Sequence, residues 1–351
     1  MSSDATDTGQ YGEDMITGAP WADDPVWLPV EHFSAVGAVR RTAVSMAEDA
    51  GLPADLAADV AIVASEIASN LARHARAGVV AVRTVRSGER VGIELLGVDS
   101  GPGIPNVVEA TMDGHSTAGS LGIGLGAVER KASQFDIYSK VGSGTVLAAT
   151  LWCPAGRVAD PWVAGLVRPI AGQEVCGDAY AAREVGGRRQ LLLCDGLGHG
   201  LLAAAASLAA KTEFLAAPWD GPGDVLHHVH SHIQHTRGVV AGIAELVPEK
   251  ETVRFAGVGN VTAAVVHGRG RQLMMSPPGI VGAGKWAARE YEYPMAGSDL
   301  VVLHSDGLHS RWDLGEYPGL ASHHPVVIAA TLLRDAGRRR DDAAVLVARA
   351  A

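Results

Sequence analysis

Along residues 54–76, apolar side chains recur as Leu56, Val60, Val63, Ile67 and Leu71, in alternating four- and three-residue steps. That spacing predicts a helix with one apolar stripe turned to a core. Ser34 stands where an N-cap would, ahead of an earlier helix that runs to about Ala50 and stops at Gly51-Leu52-Pro53. Two β-type runs, 78–85 and 91–98, follow, joined by the polar turn Ser87-Gly88-Glu89. A glycine-rich loop, a helix near 122–133 and strands at 135–139 and 144–152 complete a block of order ααββαββ that closes near Trp152.

After Cys153-Pro154-Ala155-Gly156 the texture changes. Strand-like runs at 163–170, 177–185 and 189–195 alternate with glycine-rich turns, and helices are expected at 201–216 and about 223–236. Further strands are expected at 239–247, 251–258, 261–267, 271–275 and 299–305, then a helix near 325–336 and a last strand at 343–349. Many hairpin-linked strands with segregated helices predict an α+β layer sandwich.

Length agrees with two blocks, since 351 residues suggest two domains at roughly 100–200 residues each. The chain is 47% apolar and 19% charged, which excludes global disorder. A net charge of −10 gives no default surface for nucleic acid. Cys153, Cys176 and Cys194 form no disulfide pattern and suit a reducing compartment. Residues 1–27 carry Asp4, Asp7, Glu13, Asp14, Asp23 and Asp24 without an apolar period, so they read as a flexible acidic leader rather than a signal peptide. The longest apolar run, Leu201 to Ala210, is too short to span a bilayer. The expectation is a cytoplasmic protein with no membrane segment and no nucleic-acid partner.

Glu66, Asn70 and His74 are spaced by four, so they form one polar stripe on the second helix. A carboxylate and an amide so placed can act as base and Mg²⁺ ligand, and the same stripe also suits a solvated face. Asp99 follows a strand and precedes Gly101 and Gly103, a pattern that brings backbone close to a planar ligand. Gly122, Gly124 and Gly126 open a helix, whose N-terminal amides favour phosphate. Together "SEIASNLARHA", "DSGPGIP" and "LGIGLGAVERKASQFDIYSKVGSGT" resemble the GHKL (Bergerat-fold) ATPases, and within them the RsbT-type serine-protein kinases. The resemblance implies a Bergerat-fold α/β sandwich over 28–152 that binds ATP and Mg²⁺. It also implies that Glu66 is the general base, Asn70 the Mg²⁺ ligand, Asp99 the reader of the adenine amino group with Thr145 in support, and the five glycines the shapers of the loops.

In the second half, Asp178, Asp195, Asp306 and the Asp341-Asp342 pair stand at strand ends beside apolar runs. Like charges delivered to one sheet edge are costly without cations, and a two-metal oxygen site resolves that cost. The ordered set "GDAY", "CDGLGHGLLAAAASLAA", "RFAGVGN", "SDGL" and "DDAAVLVAR" resembles the SpoIIE/RsbX branch of the PPM metal-dependent protein phosphatases. That resemblance implies an αββα sandwich over 161–351, reached through a linker at 153–160, with two Mn²⁺ or Mg²⁺ ions. By position, Asp178 and Asp195 serve the bridged pair with the Gly196 carbonyl, and Asp306 and Asp341 complete the second ion. Asp342 is a weaker candidate, His199 orders the loop, and Asn260 is structural.

His227, His228, His230, His232 and His235 are dense, but no acidic or cysteine partner accompanies them in sequence, so they read as a solvated helix. Arg338-Arg339-Arg340 reads as a solvated loop. The expected function is partner switching: phosphorylation of a STAS-domain antagonist protein by the first domain and dephosphorylation of phospho-STAS protein by the second. A downstream sigma-factor regulator or output enzyme is the expected further partner. The alternatives are a nucleotide-switched binding module without turnover, and a phosphatase regulated by ATP bound next door.

Overall fold

The computed structural model describes residues 19–112, 124–155, 159–268 and 270–350. The first domain contains β1 (Trp21–Ala22), β2 (Val26–Pro29), α1 (Ser34–Asp49), α2 (Ala54–His74), β3 (Val79–Ser87), β4 (Arg90–Val98), α3 (Val107–Thr111), α4 (Gly124–Lys131), β5 (Gln134–Lys140) and β6 (Gly144–Cys153). Its antiparallel sheet runs β1-β3-β4-β6-β5, with β2 also on β3. The stripe of α2 packs as predicted: Val60, Val63 and Ile67 meet Ile93, Leu95, Leu147 and Leu151 in one core.

Two expectations need correction here. Strand pairing begins at Trp21, inside the stretch read as an acidic leader, because Trp21 and Ala22 pair with Arg86 and Val85. The Arg86 guanidinium also lies 4.7 Å over the Trp21 ring. Residues 1–18 of that leader lie outside the described residues. Ser34 is the first helical residue rather than the cap: Phe33 takes that place, with no side-chain bond to the helix amides.

The second domain contains β7 (Val163–Arg168), β8 (Asp178–Val185), β9 (Arg188–Gly196), α5 (Leu201–Ala216), α6 (Pro222–His232), β10 (Val239–Val247), β11 (Thr252–Val258), β12 (Thr262–His267), β13 (Gly270–Met274), β14 (Tyr291–Pro294), β15 (Leu300–His304), α7 (Pro325–Ala336) and β16 (Ala343–Arg349). Two antiparallel sheets, β14-β11-β10-β9-β8 and β13-β12-β15-β16-β7, stack face to face. Strand alternation explains how. Leu191 and Leu193 enter the core between the sheets, while Leu192 and Cys194 point to α5 and α6. α6 stops at His232, short of the predicted 236, because the Thr236 hydroxyl and amide both donate to the Ile233 carbonyl and turn the chain. β14 was not foreseen; it is a half-exposed edge strand.

α7 lies between the domains. One face packs on Leu166, Val302, Val345 and Val347 of its own sheet, and the other on Leu96, Tyr138, Val146 and Ala148 of the first domain. Its N-terminus is clamped by Asp136, whose carboxylate accepts from His323 Nδ1 (2.7 Å) and the His324 amide (2.6 Å). Burial pushes the Asp136 carboxyl up, but those bonds outweigh it and hold it below the usual range. Deeper in the interface, Arg83 pairs with Glu94 at 2.6 Å and donates to the Gly165 carbonyl (2.7 Å) and the Tyr180 hydroxyl (3.1 Å). Both charged side chains are buried. Arg83→Ala leaves the buried Glu94 carboxylate without its partner and is expected to cost about 3–5 kcal/mol in chemical denaturation, whereas Arg83→Met with Glu94→Leu should recover most of it. A single variant as stable as wild type would show that the pair carries no buried charge.

Candidate active sites: a nucleotide cleft and a carboxylate cluster

The first domain holds a cleft of about 530 Å³ between the C-terminal half of α2, the sheet and the loop after β4. Asn70, His74, Asp99, Gly103, Gly124 and Thr145 are among its walls. Asp99 is fixed by its own loop: Oδ1 accepts from the Gly101 amide at 2.6 Å, and its amide donates to the Thr145 carbonyl at 2.9 Å. Burial pushes the Asp99 carboxyl up, while the Gly101 amide and the Arg334 charge oppose the shift. Gly103 has φ +72°, and a Cβ there would stand 2.4 Å from the Lys140 carbonyl, so only glycine closes this loop. Thr145 Oγ1 shares a 2.9 Å hydrogen bond with Ser139 Oγ, which also accepts from the Ile104 amide.

The Asn70 amide nitrogen is buried without a hydrogen-bond partner, an open valence in the cleft wall. Cleft volume fits a nucleotide, the orphaned amide nitrogen is a free donor for an acceptor such as a phosphate oxygen, and the side-chain oxygen of Asn70 is the atom that suits Mg²⁺. Glu66, one turn earlier on α2, is half-buried and is not among the cleft walls. Gly126 is buried in the first turns of α4, and Gly101 is buried beside Asp99. Gly122 lies outside the described residues. Arg334 went unrecognised in the sequence. It reaches from α7, nearly buried, and donates to the Asp99 carbonyl at 3.0 Å. A basic residue in the last turn of a helix gives no hint of a partner in another domain.

In the second domain the strand ends converge. Asp178 opens β8 directly opposite Asp195 at the end of β9. Asp306 follows β15, and Asp341 precedes β16. Asp178 Oδ2 is buried with no hydrogen-bond partner. Burial first, then the Asp195 charge, holds the Asp178 carboxyl well above its usual range. Burial and the Asp306 charge push Asp195 up to about 7, and burial and Asp306 also raise Asp341. Three raised carboxyls gathered with Asp306, one of them with an orphaned oxygen, suit hard divalent cations.

Supporting residues divide between the predicted and the missed. Asp342, the weaker candidate, spends both oxygens on the backbone, accepting from Ile170 N (2.7 Å) and Gly177 N (2.9 Å). It therefore holds the turn that carries Asp178. Asn260 donates to Asp306 Oδ2 at 2.7 Å and aims that carboxylate. Gly307 packs so tightly that a Cβ would stand 1.9 Å from the Asp342 carbonyl. Gly196 is buried, His199 is exposed on the loop beyond it, and Arg237 lies over the same loop, 3.5 Å from the Leu197 carbonyl.

The raised carboxyls set a pH dependence. Between about pH 3.8 and about 7, the folded metal-free protein keeps a proton on Asp195 that the unfolded chain has released. Stability conferred by that proton is present at low pH and lost as pH rises through about 7. The melting temperature of the metal-free protein should fall across that window, and added Mg²⁺ or Mn²⁺ should restore it most at the upper end. A flat profile with and without cation would contradict the cluster.

Sheet order, cleft and carboxylate cluster together define a two-domain α+β protein: a histidine kinase-like ATPase domain joined to a PP2C-like phosphatase fold. Residues 31–151 match the family of the histidine kinase-like ATPase domain, and residues 186–351 match stage II sporulation protein E (SpoIIE). Asp178 lies ahead of the SpoIIE match and is placed by its register with Asp195. The serine/threonine-protein kinase RsbT of Bacillus subtilis (strain 168) is 32% identical over 115 residues, 33% of this chain and 86% of that protein. The chain belongs to the RsbT family of serine/threonine-protein kinases through its first domain, with a SpoIIE phosphatase domain in the same polypeptide. Among solved structures, one from work on the bacterial stressosome as a modular system adapted to control secondary messenger signaling is 28% identical. It covers 53% of this chain and 98% of its own, with a TM-score of 0.50. RsbX in complex with magnesium is 19% identical, with 53% and 94% covered and a TM-score of 0.45.

Proposed function

We propose that the chain is a bifunctional partner switch, phosphorylating a STAS-domain antagonist protein from ATP and removing phosphate from a phospho-STAS protein in the cytoplasm. The observation that carries this reading is the presence of both sites in one chain, the Asp99 cleft and the Asp178–Asp195–Asp306–Asp341 cluster. In the first domain Asp99 accepts from the adenine amino group, and the side-chain oxygen of Asn70 would hold Mg²⁺, which supplies positive charge to the phosphates. Glu66 takes the proton of the substrate serine as its oxygen accepts the γ-phosphoryl and ADP leaves. In the second domain the aspartates and the Gly196 carbonyl would hold two divalent cations. When bound, these supply positive charge and acidify the water that displaces the serine oxygen from phosphorus. Asp178 and Asp195 would be among the residues that hold the ions, Asn260 orients Asp306, and Asp342 keeps the Asp178 turn closed.

One observation favours a second reading. Glu66 stands off the cleft walls, as it would in a binding module that holds nucleotide without turning it over. Incubating the full chain with γ-labelled ATP and purified STAS-domain proteins separates the two. Label should move to a STAS serine and then, with Mn²⁺, to inorganic phosphate. Label that stays on ATP while a STAS or sigma-regulating protein is retained would support the binding module and sink the kinase.

A further inference from the structure

A third group of metal-type donors lies outside both sites, in the helical layer that covers the sheet of Asp178 and Asp195. Glu213, in the last turn of α5, and His228 and His232, one turn apart on α6, bring a carboxylate oxygen and two imidazole nitrogens within 4.8 Å of one another. The two rings stack with centroids 4.1 Å apart. His232 Nδ1 lies 2.8 Å from the His228 carbonyl oxygen. A carbonyl can only accept, so Nδ1 carries the proton and Nε2 keeps its lone pair for a ligand. Such a backbone contact is the usual outer partner of a metal-binding histidine.

His228 supplies the second mark of a ligand site. Its Nε2 is buried and makes no hydrogen bond, with Glu213 Oε2 3.4 Å away. Donors at about 2.0–2.1 Å from a tetrahedral ion stand about 3.3–3.4 Å apart, so the pair already has the separation that a shared ion imposes. The histidines looked merely solvated in the sequence because the acid comes from the neighbouring helix.

We propose that Glu213, His228 and His232 form a zinc-type transition-metal site, with two imidazoles, one carboxylate and a fourth position open beside the exposed His232. Imidazole selects a borderline ion such as Zn²⁺, while the all-oxygen aspartate cluster selects Mg²⁺ or Mn²⁺, so the two sites take different metals. The ion would staple α5 to α6. α5 backs the catalytic strand ends, since Ser207 Oγ donates to the Gly177 carbonyl at 2.5 Å, so the staple holds that helix in place and takes no part in the chemistry.

The test is a Zn²⁺ titration of the full chain carrying Asp195→Asn and Asp306→Asn, which cripple the aspartate cluster, in excess Mg²⁺. One zinc equivalent should bind, and its X-ray absorption should show two imidazole nitrogens. His228→Ala should weaken binding by more than about 10²-fold, since even an outer partner of a ligand is worth 10–100-fold. Glu213→Gln, which keeps shape and removes charge, should weaken it as well. His232 is exposed, so His232→Gln serves if His228→Ala does not fold. No bound equivalent, an oxygen-only shell, or zinc that survives loss of both histidines would overturn the site and leave an imidazole–carboxylate contact only.

Discussion

Replacing Asp195 with asparagine is expected to cut phosphoserine hydrolysis by more than about 10²-fold while leaving phosphotransfer from ATP intact. Loss of an outer partner of a metal ligand already costs about 10–100-fold, and Asp195 is assigned to the pair itself. Asparagine keeps the volume and one carbonyl oxygen but removes the charge that faces Asp178 across the β8–β9 pair. The same change removes the carboxyl that burial and Asp306 push up to about 7, so it should also stabilise the metal-free protein above neutral pH and blunt its response to Mn²⁺. Hydrolysis assayed with a phospho-STAS protein, alongside a melting curve, separates this outcome from simple misfolding. A variant that still hydrolyses at the wild-type rate would remove Asp195 from the metal site.

The second large effect belongs to Glu66→Gln. Glutamine is isosteric and sits on the well-packed α2, so nucleotide affinity measured by calorimetry should stay within a few-fold of wild type. Phosphotransfer should drop by about 10²–10⁴, the usual contribution of a general base. Full transfer in this variant would assign the proton to another group. Transfer absent in wild type as well would favour the binding module.

What the sequence revealed tracks the range of the interactions involved. Elements written as sustained apolar runs were legible: α5 at Leu201–Ala216, α7 at Pro325–Ala336 and β16 at Ala343–Arg349 all have their predicted bounds. So were the aspartates at strand ends, because apolar runs such as Leu191-Leu192-Leu193 announce the strand that delivers them. Short edge strands were not. Trp21–Ala22 is a two-residue strand among acidic neighbours, and it exists because β3 offers a partner edge. Contacts between distant segments were equally silent: Arg334 on the Asp99 carbonyl, Asn260 on Asp306, Glu213 against His228. Each joins groups that are far apart in sequence, so neither one's local pattern announces the other.

The interface also links the two candidate sites. α7 touches the nucleotide loop through Arg334, and its C-terminal end is tied to the aspartate loop by His309 N to Ala336 O (2.8 Å) and Arg338 N to Gly307 O (2.7 Å). One helix therefore contacts both sites.

The most direct test of two opposed activities in one chain follows the phosphate on a single purified STAS-domain protein by intact mass spectrometry, with ATP, Mg²⁺ and Mn²⁺ present. Wild type should settle at partial phosphorylation. Asp195→Asn should drive the same protein towards full phosphorylation, and Glu66→Gln, started from the phosphorylated form, should drive it towards the bare one. A plateau that neither variant moves would contradict the account, because the two domains would then not act on the same serine.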